Sequence, residues 1–301
     1  MKTPSTCSLI AGDLAVVFLP GRGMLGASLR HRGVELLRRV ANLDEAAAKG
    51  STAGIPLLHP WANRLAGLRY RSAGWEVTLD ASSPLLHFDD HGLPIHGVPW
   101  SLLTWEVTEA GPDRLAARLD WTRNDLLAVV PYAHRLEMTA ALDPGGLTLE
   151  TTLVAGPDAA VPVSFGFHPY FGLPELPRAQ WRLELPPMRS LVLDPRGIPT
   201  GEEGPFGPLD APLGDLHFDD GFAVLQEQPS LSLTGARLGI SVQLLAGYRY
   251  AQVFAPKDKN FVALEPMTAP TNALASGRGL QVVEPGGRYR TAFRIHVGTL
   301  P

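Results

Sequence analysis

The sequence predicts an all-β protein, a large antiparallel sandwich or barrel with very little helix. Three observations carry that expectation. β-rich or period-two runs recur about every ten residues with Gly, Pro, Asp or Asn between them. The 31 glycines and 28 prolines are spread along all 301 residues instead of gathered in one tract, as many tight turns require. Only "ANLDEAAAK" reads as a helix, and it is not amphipathic over any length.

In chain order the expected strands are "LAVVFL", "WEVTL", "LLTWEVTEA", "RLAARLDW", "YAHRLEMTAAL", "LTLETTLV" and "VPVSFGF" in the first part of the chain. "WRLEL", "SLVLD", "FAVL", "LSLTG", "GISVQLL", "YAQVFAP", "FVALEP" and "YRTAFRIHV" follow. Two long Pro- and Gly-rich loops carry His or Arg, "GIPLLHPWANRLAG" (54–67) and "HFDDHGLPIHGVPW" (87–100), and loops of this kind in a compact β protein usually carry function. A third, 196–215, reads as a plain surface excursion. No internal repeat, low-complexity tail or linker interrupts the pattern, so one domain over 1–301 is expected.

The net charge of −4, 45% hydrophobic and 19% charged residues fit a globular chain and give no sign of a nucleic-acid surface. The single cysteine, Cys7, has no partner for a disulfide or a thiol zinc site, so a cytoplasmic setting is the default expectation. No window offers roughly 18 uninterrupted apolar residues, and "LAVVFLP" lacks the basic start and cleavage site of a signal peptide, so no membrane partner is expected. Phosphate loops, H-E-x-x-H, paired C-x-x-C and G-x-S-x-G are absent from the sequence, and the one i, i+4 histidine pair, His87 and His91, lies in a loop and does not by itself support a metal.

Several side chains are candidates for chemistry. Alternation in "VPVSFGFHP" puts Val161, Val163, Phe165 and Phe167 on a core face, and Pro162, Ser164, Gly166 and His168 on the other, where small residues leave open space beneath the imidazole. From that segment alone, a strand-end packing histidine competes with a reactive one. In "FVALEP", Val262 and Leu264 share one face, while Phe261, Ala263 and Glu265 share the other. A glutamate closing an apolar strand is expensive to bury unless it is paired, hydrogen-bonded or working, and a rim position in water is the alternative. Arg64 offers a fork of donors beside Asn63, suited to vicinal hydroxyls, though tying down loop carbonyls would use the same groups. His96 sits in a Gly- and Pro-bounded turn able to aim its ring rigidly. His59, His87 and His91 read as incidental loop histidines. Asp219 and Asp220 precede an apolar strand, where a turn role suits at least one of them.

Taken in order, "GIPLLHPWANRLAG", "PIHG", "PVSFGFHPYFGLP", "DDGF" and "FVALEPMTAPTNAL" resemble the aldose 1-epimerase (galactose mutarotase) family, and "PGRGMLGASLRHRGVELL" and "VVPYAHRLEM" extend the likeness over nearly the whole chain. The resemblance implies a β-supersandwich that binds sugar on an open concave face, without a cofactor, and interconverts α and β anomers through ring opening. It implies His168 as catalytic acid and Glu265 as catalytic base. Asn63, Arg64 and His96 match the motifs that hold sugar oxygens. Asp219 matches the family's binding aspartate, three residues before Phe222, with Asp220 one place away. The sugar is left open by "LEPMTAPTNAL", which is closer to the broad bacterial branch than to dedicated galactose mutarotases. The Asn-Arg pair looks like the free-sugar enzymes more than the hexose-phosphate epimerases, which need extra cations.

A glutamate of reference pKa about 4.3 and a histidine of about 6.5 suit base and acid without extreme tuning. A glycoside hydrolase, which needs two carboxylates, and a non-catalytic sugar-binding protein are the rival readings. A small sugar is the expected partner, and monomer or homodimer stays open.

Overall fold

The computed structural model describes residues 4–299 and, within them, every side chain but those of Ala48 and Thr299. Strand makes up 51% and helix 8%. Among the described residues a nine-stranded antiparallel sheet runs in the order Glu106–Ala110, Arg114–Trp121, His134–Asp143, Gly146–Ala155, Arg288–Thr299, Leu238–Ala246, Ser230–Thr234, Arg182–Leu185, Leu209–Pro212. Strict alternation in His134–Asp143 and Gly146–Ala155 sends Leu136, Met138, Ala140, Leu149 and Leu153 into the core and leaves the polar partners in between at the surface.

A second, eight-stranded sheet carries the candidate residues. Its path is Pro199–Phe206, Met188–Leu193, Phe218–Val224, Tyr250–Ala255, Val262–Met267, Gly166–Phe167, Leu57–Leu58, with Tyr170–Phe171 also paired to Val262–Met267. The two sheets meet through large apolar side chains, as where the Phe167 and Phe293 rings lie 5.1 Å apart. A four-stranded sheet, Cys7–Ala11, Leu14–Leu19, Leu25–His31 and Val34–Glu35, packs on the larger one.

The expected helix is Leu43–Ala48, started by Asn42, whose side chain accepts from the backbone N–H groups of Asp44 and Glu45. Two further short helices, Asn124–Val129 and Ala273–Ser276, carry no periodic signal to announce them. None of the described helices is long and apolar enough to cross a membrane.

Four expectations need correction. "VPVSFGFHPYF" is not one alternating strand: Val161–Val163 pairs with Gln281–Val283, while Gly166–Phe167 and Tyr170–Phe171 pair at separate points along Val262–Met267, and every residue from 161 to 170 is buried. The space beside Gly166 is not open either, because a methyl there would run into Met267 Sδ and the Pro266 carbonyl. Glycine lets those chains approach closely. The segment 196–215 is no plain excursion, since it supplies Pro199–Phe206 and Leu209–Pro212, the outer strands of the two sheets. Lastly, His59 is a core residue, its Nε2 lying 2.9 Å from His134 Nε2 and its ring edge-on to Trp121.

Candidate active site

Register places the site. Gly221, Gln252 and Glu265 lie in one row across three strands, with Asp219, Phe254, Ala263 and Tyr170 in the next. Residues two apart share a face, so Asp219, Gln252, Phe254, Ala263 and Glu265 all project from the side of the sheet opposite Val253 and Leu264, which join the core. Asp220, opposite Val253, projects the other way. Of the two adjacent acids, Asp219 is therefore the one on the Glu265 face.

His168 follows Gly166–Phe167 and its backbone N–H donates to the Pro56 carbonyl at 3.1 Å. Its ring stacks on Tyr170, centroids 4.1 Å apart at 14°, and lies edge-on to His96 at 5.6 Å. Nε2 sits 3.3 Å from Glu265 Oε1 and 3.1 Å from the Tyr170 hydroxyl, which also contacts Thr52 Oγ1. Both acid–base candidates are deeply buried, His168 at 5% and Glu265 at 2% exposure. The Glu265 oxygen is near His168 but off the line for a hydrogen bond, and His168 Nδ1 has no partner among the described residues. Catalytic hydrogen bonds are often loose in this way before a substrate arrives.

Two loops deliver the other candidates by lacing together. The backbone N–H groups of His96, Val98 and Leu65 donate to the carbonyls of Asn63, His59 and Pro94 at 2.9 Å each. Asn63 and His96 both hold positive φ, 57° and 62°, which Asn and His tolerate better than most residues. Next to them Gly97, at φ 67°, packs flat on the His59 carbonyl where any side chain would collide. The Asn63 backbone N–H donates to His96 Nδ1 at 3.3 Å, so a neutral His96 carries its proton on Nε2 and can donate it to an oxygen acceptor.

Arg64 is aimed by neighbours that the sequence did not reveal. Its Nε donates to Asp89 Oδ2 at 2.6 Å, its Nη1 to Asn63 Oδ1 at 3.2 Å, and its Nη2 lies 3.9 Å from Asp219 Oδ2. Asn272 holds the backbone beneath: its N–H donates to the Arg64 carbonyl and its side chain accepts from Ala66 N–H, both at 2.9 Å. Gln252 Nε2 donates to Asp219 Oδ1 at 3.0 Å. Thus His168, Glu265, Asn63, Arg64, His96 and Asp219 come together, and Tyr170, Gln252, Asp89 and Asn272 join them. Tyr170 lay within the quoted motif "PVSFGFHPYFGLP", and Gln252 faces Glu265 through strand pairing that alternation alone does not reveal.

Electrostatics overturn the expectation that reference pKa values would serve. Burial, with Asp219 nearby, pushes the Glu265 carboxyl well above the usual carboxylate range. Burial, then His96 and Arg38, holds His168 well below an ordinary histidine against a backbone hydrogen bond that raises it. Burial and Arg64 push His96 down to about 3, so it is a neutral donor near pH 7. Burial thus favours the pair as carboxylic acid and neutral imidazole over the ion pair. The neutral form holds the same single proton as a carboxylate beside an imidazolium, moved across one contact. Among the described residues no cluster of three or more His, Cys, Asp or Glu is placed to hold a metal.

The family model described as aldose 1-epimerase matches residues 24–296. The uncharacterised protein YihR of Escherichia coli K12 is 25% identical over 312 residues, 97% of this chain and 92% of that protein. The Slr1438 protein from Synechocystis superposes with a TM-score of 0.81 at 25% identity, covering 99% of this chain and 97% of the other. A galactose mutarotase-like protein from Clostridium acetobutylicum reaches 0.84 at 17% identity, covering 97% and 95%. With a family match over nearly its full length and a mutarotase-like fold beneath its clustered residues, the chain belongs to the aldose 1-epimerase family.

Proposed function

We propose that this protein interconverts the α and β anomers of an aldose, with Glu265 and His168 as the proton-transferring pair. The observation that carries the reading is their buried contact, Nε2 to Oε1 at 3.3 Å, beside Asp219 on the sheet and Arg64 and His96 from the two loops. In the ion-pair form, Glu265 takes the proton of the anomeric hydroxyl while His168 gives one to the ring oxygen. The C1–O5 bond breaks and the aldehyde forms. The enzyme is left as carboxylic acid and neutral imidazole, the form that burial favours. Rotation about C1–C2 then presents the other carbonyl face. Closure reverses the transfers: His168 takes the proton of the attacking C5 hydroxyl, and Glu265 returns its own to the carbonyl oxygen.

The site's total charge is the same in both half-reactions, so a buried pair can cycle without burying a net charge. Asn63, Arg64, His96 and Asp219 would hold the remaining hydroxyls and leave the anomeric end free to turn. Each positioned proton-transfer group is typically worth about 10² to 10⁴ in rate, enough for a reaction that already proceeds in water. Asp219 is engaged with Gln252 and near Arg64, which suits a binding acid more than the second carboxylate of a hydrolase. Polarimetry on fresh α-glucose or α-galactose tests the assignment. Glu265→Gln should lose at least about 100-fold in catalysed rate, and a folded variant that keeps near wild-type rates would refute it.

A further inference from the structure

Beside this site lies a cavity of about 350 Å³ lined by Arg22, Arg38, Arg39, Asn42 and Asp44 among others, three arginines against one carboxylate. Arg22 is already paired with Asp44. Arg39 is exposed and Arg38 half-buried, and neither has a carboxylate partner among the described residues. Arg38 donates to the Thr52 carbonyl at 2.7 Å and lays its guanidinium over the rings of Tyr170 and Phe261, 5.3 and 4.9 Å from their centroids. Tyr170 is the ring stacked on His168, so the two spacings keep Arg38 within about 9 Å of the imidazole.

A partly desolvated guanidinium with no counter-charge is unfavourable on its own, and facing aromatic rings offsets only part of that. Its remaining N–H groups suit a planar or tetrahedral oxyanion. The free-sugar resemblance rests on the Asn-Arg pair of the first loop, whereas Arg38 and Arg39 lie outside every motif that carries the resemblance.

We propose that Arg38 and Arg39 bind an anionic group on the sugar, a phosphate ester or a carboxylate remote from the anomeric carbon, and that the protein prefers such acidic aldoses to neutral ones. This rests on the acid–base reading above, and the experiment separates the two. Anomer exchange at equilibrium is followed by proton exchange spectroscopy on glucose, glucose 6-phosphate and glucuronate, with the uncatalysed rate subtracted. The expected result is a kcat/KM at least tenfold higher for one or both acidic sugars than for glucose. Which acidic sugar gains identifies phosphate or carboxylate as the recognised group. Arg38→Gln and Arg39→Gln should each lower the acidic-to-neutral ratio severalfold, chiefly through KM, and the preference should shrink with added salt. Arg237→Gln, at a different cavity, should leave the ratio as it is. Catalysis with a ratio near one, or an equal loss on all three sugars in both arginine variants, overturns the anion site alone. No catalysis of any of the three overturns the acid–base reading with it.

Discussion

Tyr170 shows what a single hydroxyl does in this site. It touches His168 Nε2 at 3.1 Å while its ring stacks on the imidazole, so it fixes both the tilt and the proton-bearing edge of the ring. Tyr170→Phe keeps the stack and removes only the hydroxyl. The expected loss in kcat/KM is about fivefold to tenfold, the worth of one hydrogen bond of roughly 1 kcal/mol, with the fold unchanged by circular dichroism. The pH profile is a second expectation at this scale. The active form holds one proton on the Glu265–His168 pair. A second proton is added only at the depressed His168 value, and the last is lost only at the raised Glu265 value. The kcat/KM should therefore stay flat through pH 6.5, where an unperturbed histidine would break it, and a break there would refute the pair's burial as the controlling effect.

At the scale of elements, the strands with one buried face were legible and the others were not. Alternation found the long strands such as Arg114–Trp121 and Leu238–Ala246, because each repeats buried and exposed positions. Pro199–Phe206, an outer strand exposed along most of its length, has no alternation to read and contains Pro and Gly, so it passed for loop. The catalytic-type residues were visible because His168, Glu265, Asn63, Arg64 and His96 sit in motifs. Their supports Asp89 and Asn272 lie in quoted stretches too, but they act only after distant loops meet, so spacing did not single them out. Asn272 makes that contribution testable. It holds φ 67° and clamps the loop backbone through two hydrogen bonds, one to the Arg64 carbonyl and one from the Ala66 N–H. Asn272→Gly keeps the conformation and loses the side-chain bond, an expected cost of about 1 kcal/mol. Asn272→Ala adds left-handed strain, about 1–2 kcal/mol more. Urea melts should rank wild type above Gly above Ala, with KM for sugar rising in the same order as Arg64 loosens. Ala matching or exceeding Gly in stability would contradict the strain argument.

At the scale of the whole molecule, four histidines, His59, His96, His134 and His168, are held neutral, mainly by burial, with His134 pushed down to about 4. Two of them couple the halves of the fold. His59 belongs to the loop that bears Asn63 and Arg64, and His134 opens a strand of the nine-stranded sheet, its Nδ1 near the Tyr132 carbonyl. His134 Nδ1 donates to the Tyr132 carbonyl, so its Nε2 accepts from His59 Nε2, and protonating His134 leaves two donors face to face. In the unfolded chain each histidine takes up a proton near pH 6.5, whereas the native state resists until a much lower pH. Between those values the unfolded state binds more protons, so stability is complete above pH 6.5 and falls as pH drops toward the native values. Each histidine contributes up to about 1.4 kcal/mol per pH unit. Glu265 has the opposite sign, since its raised value makes stability fall as pH climbs above the ordinary carboxylate value, but it is one group against four. Urea midpoints should therefore drop from pH 7.5 to pH 5. His134→Gln, which keeps a side chain able to bond His59 and removes one titrating group, should drop less over the same interval. Equal pH dependence in the variant and the wild type would mean that the His59–His134 contact does not link this loop's stability to protonation.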